Sequence, residues 1–436
     1  MYHRIVKQEF ITHLSNYLDE QEINSLLDSL ALKSVNGLIL NTEKMSEDTL
    51  LSLFPNIKKH PIVPYAYIFD KDEYQLGKTI YHELGCFYLQ EPSAILVSYL
   101  LNPNEKDTLL DLCAAPGGKT IGASLLMNNK GLIISNDLAR DRCYILQENV
   151  QRMGRSNIVI TNNDFVNIYQ FYRNFFTKII VDAPCSGSGM FRKEEKMSDD
   201  WSLNKVFKYS MTQCELIDIA YEMLAPGGTL VYSTCSYSYE EDEMVIKHLL
   251  EHTNAVLEPI PMNESFYQSK EKIGIHLFPH LFNGEGHYIC LVKKPGELKY
   301  HRNEITHNRQ YQLPKQINSF DIKNFNNVLF GLPTSFTYKK LNIIQYGLKI
   351  GEVFYKGINY DYHLSHYLSS YDNEIEISSD DVKKYLMGEE IQTEINSKNN
   401  NLLIKYQGIS VDFSKNNGDI IKNHYPKRLR KKDIII

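Results

Sequence analysis

An α/β fold built on a doubly wound parallel sheet is predicted by three features of the chain. From Thr108 onward, short apolar runs alternate with helical patterns, as crossovers between parallel strands require. The first of these runs, residues 109–113, ends in the small-residue turn Ala114-Ala115-Pro116-Gly117-Gly118, and a helical pattern covers 120–127. Polar or thiol residues then stand after four strands: Asp137, Asp164, Asp182 to Cys185, and Thr234 to Ser236. An open sheet of this kind binds its ligand at the carboxyl ends of the strands, so these positions should converge.

The remaining elements follow in order. Apolar residues at helical spacing (Phe10, Leu14, Leu18, then Ile23, Leu26, Leu27, Leu30) precede a strand at 34–41 and a helix at 50–53. Residues 1–75 therefore read as a small α/β domain. Pro92 suits the first turn of a helix over 94–101. The catalytic-size domain, 76–295, carries strands at 109–113, 132–135, 158–161, 178–182, 229–233 and 255–260, with helices such as 140–153 and 206–224. Gly227-Gly228 stops the last of these helices. Glu240-Glu241-Asp242-Glu243 reads as the acidic start of a helix over 244–251, matching its dipole, and not as a metal site. A final strand, 288–293, is expected to be antiparallel and near the edge. A polar boundary at 295–314 separates an intermediate domain, 315–385, from 386–436. That last part reads as short strands with turns at Asn399-Asn400 and Asn417-Gly418, a small β module.

Bulk composition excludes several classes. The 436 residues carry a formal net charge of −6, unlike a non-specific nucleic-acid coat. Seven scattered cysteines show no metal-ligand spacing, which fits reduced thiols in a cytoplasmic protein and no structural metal. Residues 1–7 contain no apolar segment of a signal peptide, and no run approaches the ~20 residues that cross a bilayer. No membrane and no DNA are expected among the partners, and a monomer is expected. Basic residues do concentrate at Lys422, Lys427, Arg428, Arg430, Lys431 and Lys432, with His424 and Tyr425 interleaved, a composition suited to an RNA backbone.

The turn at 114–118 lacks both the full GxGxxG that cradles a pyrophosphate and the GxxxxGK[ST] of a P-loop. A nucleoside cofactor without phosphate fits better, and S-adenosylmethionine is the obvious one. The missing GxGxxG also sets aside an NAD-dependent dehydrogenase. Asp137, about 20 residues past the glycines, can accept both ribose hydroxyls, and Asp164 can accept the exocyclic amine of adenine. Two thiols, Cys185 and Cys235, stand just past two strands. Beside a methyl donor they suggest cytosine chemistry. A thiolate adding to carbon 6 makes carbon 5 nucleophilic, an acid near ring nitrogen 3 helps, and a base then removes the carbon-5 proton. Asp182 is placed to be the acid if it holds or shares a proton. Which thiol attacks stays open on spacing alone, and Pro184-Cys185 imitates the Pro-Cys of DNA cytosine methyltransferases.

The runs Asp111-Leu112-Cys113-Ala114-Ala115-Pro116-Gly117-Gly118-Lys119-Thr120, Asp182-Ala183-Pro184-Cys185-Ser186-Gly187 and Ser233-Thr234-Cys235-Ser236 resemble the NOL/NOP/Sun family of RNA (cytosine-5) methyltransferases. Tyr88 to Ala94, Gly189 to Lys193, and Phe278-Pro279-His280 with Gly284 to His287 are similar to its bacterial RsmF-like branch, which modifies 16S ribosomal RNA. Gly347 to Glu352 and Lys422 to Arg430 resemble that branch's two C-terminal modules, the last PUA-like. The resemblance implies a class I, Rossmann-like S-adenosylmethionine-dependent methyltransferase with Cys235 as nucleophile and Cys185 as the thiol that resolves the adduct. The implied cofactor contacts are Cys113, Ala114, Ala115, Pro116, Gly117, Gly118, Lys119, Asp137, Asp164 and Asp182. Ser188 stands where many members have Glu, and the last module lacks the family's Gly-Trp pairs. A tRNA methyltransferase, and an RNA-binding assembly factor without turnover, remain alternatives.

Overall fold

Continuous apolar strands must be covered on both faces, and the middle of this chain supplies helices for both. The structure is a computed structural model that describes residues 6–300, 311–336, 340–355 and 357–435. Strands β1 (Asn36–Leu40), β2 (Lys58–Lys59), β3 (Ala66–Phe69) and β4 (Phe87–Leu89) form a small antiparallel sheet in the order β2-β3-β1-β4. Its last strand lies beyond residue 75 and leads directly into the helix Pro92–Leu101.

The central sheet follows. Its strands are β5 (Thr108–Asp111), β6 (Leu132–Asn136), β7 (Ile158–Thr161), β8 (Phe176–Asp182), β9 (Leu224–Thr234), β10 (Val256–Glu258), β11 (Ile275–His276) and β12 (Tyr288–Lys293). The C-terminal third adds β13 (Asp321–Phe325), β14 (Val328–Leu332), β15 (Ile343–Tyr346), β16 (Leu348–Phe354) and β17 (Gly357–Tyr360). The order across the central sheet is β10-β12-β9-β8-β5-β6-β7-β15, with β11 on β12. Strands β5 to β9 pair in parallel, and the order reverses between β5 and β8. That reversal opens the crevice in which such sheets bind ligands. β12 is antiparallel, as expected. The predicted strand at 255–260 is shorter, only β10, and pairs antiparallel at the edge.

Strand residues alternate between two cores. Leu110, Ile134, Ile179, Leu230 and Tyr232 pack with Leu216, Ile217 and Ala220 of the helix Leu203–Met223. Leu109, Ile133, Ile158, Ile180 and Val231 face Ile95 and Leu96, Ala123 and Leu146 from three helices on the other side.

Three expectations change. β15 leaves the intermediate region to pair with β7, so 315–385 is not confined to its own sheet β13-β14-β16-β17. Strands β18 (Glu374–Glu376), β19 (Ile391–Tyr406) and β20 (Ile409–Ile421) form the last sheet, and β19 and β20 run straight through both predicted turns. Register shifts absorb them. The real turn is Gln407-Gly408, both at positive φ (49° and 74°), the geometry of a two-residue hairpin loop. The acidic run is not a simple helix cap either. Glu241, Asp242 and Glu243 are buried, and the Asp242 side chain makes no capping bond to the helix Glu243–His252. Asp242, Glu243 and His276 instead gather within ligand reach of one another, with His276 Nε2 2.9 Å from Glu243.

The small sheet, the central sheet and the C-terminal third meet at the end of the helix Arg140–Arg152. Terminal helix carbonyls lack partners within their own helix. Here the Arg152 carbonyl accepts from Lys44 (3.3 Å) and from His366 Nδ1 (2.8 Å). The Arg155 carbonyl accepts from His363 Nε2 at 3.1 Å, while His363 Nδ1 accepts from the Lys349 amide. Gly154 (φ +65°) is required, since a Cβ there would lie 2.2 Å from the His366 carbonyl. With one ring nitrogen donating and the other accepting, His363 must be neutral, and burial pushes its pKa down to about 3.

A histidine that protonates near pH 6.5 when unfolded and near 3 when folded makes stability fall as pH drops below 6.5. At pH 5 we expect this residue alone to destabilise the fold by about 2 kcal/mol. Thermal unfolding at pH 7.5 and pH 5 should therefore show a smaller pH-induced drop for His363→Gln than for the parent. Equal drops in the two proteins would contradict the assignment.

Candidate active site

The switch between β5 and β8 is built from residues that keep backbone and charge close. Asp111, at the end of β5, is wholly buried and accepts from Thr120 Oγ1 at 2.6 Å. Burial pushes its carboxyl up to about 7. Thr120 lies in the first turns of the helix Gly118–Leu126, so this bond pins helix to strand. Between them, the Ala114 amide donates to the Asn136 carbonyl (2.8 Å) and Asn149 donates to the Pro116 carbonyl (2.9 Å). Gly117 turns at φ +117°, with a Cβ position only 2.8 Å from Leu146.

Asp137, just past β6, is buried. Its Oδ2 accepts from the Ala115 amide (3.2 Å) and pairs with Arg142 (3.2 Å), and its Oδ1 accepts from the Ala139 amide (2.9 Å). Arg142 also donates to the Ala115 carbonyl. Asp137, Leu138, Arg142, Phe165, Cys113, Asp182, Cys185 and Cys235 line one cleft of about 880 Å³. Asp164 lines no part of it. Its carboxylate caps the helix Phe165–Tyr169 by accepting from the Val166 amide at 2.9 Å, as Asp commonly does, and so places Phe165 on the cleft.

A second cleft, of about 870 Å³, opens between the small sheet and the central one. Tyr88, Gln90 and Glu91 line it from one side, and Ala115, Lys119, Met190, Cys235 and His287 from the other. The two clefts share Ala115, Asp182, Ala183 and Cys235. At this junction Lys119 Nζ lies 2.6 Å from Asp182 Oδ2, Ser233 donates to Oδ1 at 2.7 Å, and His287 Nε2 stands 3.7 Å away. Burial opposes the charge on Asp182, but Lys119 and His287 outweigh it and hold the carboxyl well below its usual range. Asp182 is therefore held ionised, so the condition under which it would serve as the acid, a held or shared proton, is not met. Beside it stand the Lys119 ammonium, the Ser233 hydroxyl and the His287 ring.

The two thiols do meet. Cys185 Sγ and Cys235 Sγ are 3.2 Å apart. The hydrogen bond to Cys235, and then burial, push the Cys185 thiol well above its usual range. That direction favours the protonated thiol at Cys185, while in the contact itself either sulfur can donate. Ser188, the departure from the family pattern, is buried and accepts from the Tyr237 amide at 2.8 Å, which ties the loop after Cys185 to the one after Cys235.

The basic C-terminal stretch is largely consumed. Arg428 pairs with Glu148 (3.0 Å), Lys422 with Glu390 (3.0 Å) and Lys431 with Glu83, and Arg430 donates to Asn423 and the Tyr425 carbonyl. Lys427 and Lys432 are exposed. Sequence reasoning missed Arg142, Phe165, Gln90 and His287 as cleft residues. Only the run Tyr88 to Ala94 and the Gly284 to His287 segment pointed their way.

The chain matches three family descriptions: 16S rRNA methyltransferase RsmB/F over residues 98–293, the N-terminal domain of 16S rRNA methyltransferase RsmF over 6–92, and the methyltransferase RsmF PUA domain over 372–431. It is 28% identical to the ribosomal RNA small subunit methyltransferase F of Vibrio atlanticus, covering 97% of each chain. Against the Shewanella woodyi protein of that name it is 29% identical over 91% of this chain and 90% of the other. Among solved structures it resembles a methyltransferase homolog from Pyrococcus horikoshii (TM-score 0.59, 26% identity, 65% of this chain and 94% of that one). NSun6 from the same organism shares the fold (TM-score 0.59, 22% identity, 67% and 99%).

Because Thr120 is the only hydroxyl bonded to the Asp111 carboxyl among the described residues, Thr120→Val should leave that buried group unpaired. The cost is about 1–3 kcal/mol, measurable in denaturant unfolding at pH 8. A variant as stable as the parent would show that the strand–helix pin contributes nothing.

Proposed function

The chain belongs to the RsmB/F family of 16S rRNA methyltransferases, and from that premise we propose that it methylates carbon 5 of a cytosine in 16S rRNA through a transient Cys235–cytosine adduct. The observation that carries this reading is the 3.2 Å sulfur pair at the point where two clefts meet.

The cleft on the Asp137 side fits S-adenosylmethionine. A buried carboxylate at the tip of β6 suits ribose hydroxyls, Leu138 and Phe165 offer apolar surface for an adenine, and the turn Cys113 to Gly117 brings backbone close. When bound, the cofactor supplies an electrophilic methyl group on its sulfonium. The other cleft, floored by Cys235 and Lys119, takes the base. A duplex cytosine cannot present its ring face to a thiol, so the nucleotide must be flipped or single-stranded.

Cys235 adds as thiolate to carbon 6, and the ring's electron pair moves toward nitrogen 3 and oxygen 2. Lys119, kept charged by Asp182, meets that negative charge as hydrogen-bond donor. Asp182 then acts as the anchor of Lys119 and not as the acid. Carbon 5 becomes the nucleophile that accepts the methyl group. Transfer of the carbon-5 proton to water in the cleft leaves a pair that re-forms the ring double bond and expels the Cys235 sulfur as thiolate. Cys185, holding its proton, donates a hydrogen bond to that departing sulfur. This division of labour supports Cys235 as attacker and Cys185 as resolver. RNA affinity of the terminal basic stretch would rest on Lys427 and Lys432, the members with neither an ion pair nor a hydrogen bond among the described residues.

With labelled cofactor and unmodified small-subunit RNA, the parent should label a cytosine. Cys235→Ala should lose labelling entirely, and Cys185→Ala should accumulate a covalent protein–RNA species visible on a denaturing gel. If Cys235→Ala still methylates while Cys185→Ala does not, the thiol roles are exchanged. Asp137→Ala should weaken cofactor binding at least tenfold in calorimetry, since two hydroxyl–carboxylate bonds are lost.

A further inference from the structure

β8 and β9 run in register to Asp182 and Ser233, and beyond them the two cysteine loops separate. Little main chain joins the loops after that point. The Ala183 amide donates to the Ser233 carbonyl (2.9 Å) and the Gly189 amide to the Cys235 carbonyl (2.7 Å). What spans the gap beside the sulfurs is a side chain, Glu241, which is completely buried.

Its carboxylate takes four donors from three elements. Oε1 accepts from the Ser186 amide at 2.8 Å and from Gln213 Nε2 at 3.2 Å, and Oε2 accepts from Ser186 Oγ and, at 2.6 Å, from Ser236 Oγ. Ser186 follows Cys185, and Ser236 follows Cys235. Gln213, on the helix Leu203–Met223, also donates to the Pro184 carbonyl at 2.8 Å. The Glu241 main chain is held in turn, its carbonyl accepting from Tyr232 Oη at 2.6 Å and its amide donating to the Ser238 carbonyl. Among the described residues no cation neutralises this carboxylate. Burial raises the Glu241 carboxyl above its usual range, and the donors from Ser186, Ser236 and Gln213 oppose that by favouring the ionised form, which places negative charge behind the thiol pair.

We propose that Glu241 is the positioning residue of the thiol pair, tying both cysteine loops to one buried carboxylate and orienting Cys185 as hydrogen-bond donor to Cys235. This deepens the reading above and rests on it. The titratable groups around Cys185 are Cys235, Glu241 and, farther back, Tyr232 and Asp242. After the contact with Cys235 and burial, the negative charge of Glu241 further disfavours a thiolate at Cys185, which helps keep the proton on the sulfur that must donate to the leaving group.

The test uses full-length protein in two measurements. Alkylation by iodoacetamide across a pH series, resolved by mass spectrometry for each cysteine, reads the proton on Cys185 without RNA. Glu241→Gln should make Cys185 alkylate at a midpoint about one pH unit lower, a tenfold gain in thiolate at fixed pH. Cys86 and Cys290, in the cores, should not change. With RNA, the covalent adduct should persist about tenfold longer in Glu241→Gln, with cofactor affinity unchanged. Glu241→Asp keeps the charge and shortens the tie, so it should slow adduct release without moving the Cys185 midpoint, and it stands in should the Gln variant fail to fold. An unshifted Cys185 midpoint in Glu241→Gln, or adduct release at the parent rate in both variants, overturns the proposal. If the parent itself forms no adduct, the cytosine reading fails, while the alkylation series still judges Glu241.

Discussion

Parallel pairing of β8 with β9 is the constraint on which the site depends. The register Asp182↔Ser233 makes the two strands end at the same level, so residues three and two positions later fall beside each other. Cys185 and Cys235 are separated by 50 residues in sequence and by 3.2 Å in space. A slip of one residue would turn every side chain of one strand to the opposite face. The two cores, one on each face of the sheet, hold that register against slippage.

Electrostatics then divides the labour among buried groups that look alike in sequence. Asp182 has a lysine at 2.6 Å and stays ionised. Asp111, one strand away and without a cation in contact, is pushed toward neutrality by the same burial. Glu241 has neither a cation nor solvent and relies on four hydrogen-bond donors. The same chemical group thus anchors a cation, pins a helix and spans two loops, according to what surrounds it.

The parts of the chain are joined through backbone carbonyls as well as through ion pairs such as Arg428–Glu148 and Lys431–Glu83. Carbonyls at the end of the helix Arg140–Arg152 accept from Lys44 on one side and His363 and His366 on the other. β15 reinforces the junction by extending the central sheet from the C-terminal third. This arrangement fixes the wall made by Tyr88 and Gln90 over Lys119 and Cys235, which gives the second cleft its shape.

Much of this was legible in the linear chain, because alternating apolar runs, small-residue turns and strand-end residues are local signals. Those signals placed the doubly wound sheet, the turn at 114–118, Asp137, Asp182 and both thiols, since strand ends in such a sheet share one edge whatever the details. Other positions depend on partners distant in sequence. Glu241 reads as a helix start until Ser186 is brought to it across 55 residues. One oxygen of Asp164 caps the following helix, a bond its sequence position did not announce, and the terminal cations read as a free patch until Glu83, Glu148 and Glu390 come within reach. Periodicity determines which face of an element is buried, but only the packed structure decides which neighbour that face meets, and hence the charge and the hydrogen bonds each residue carries.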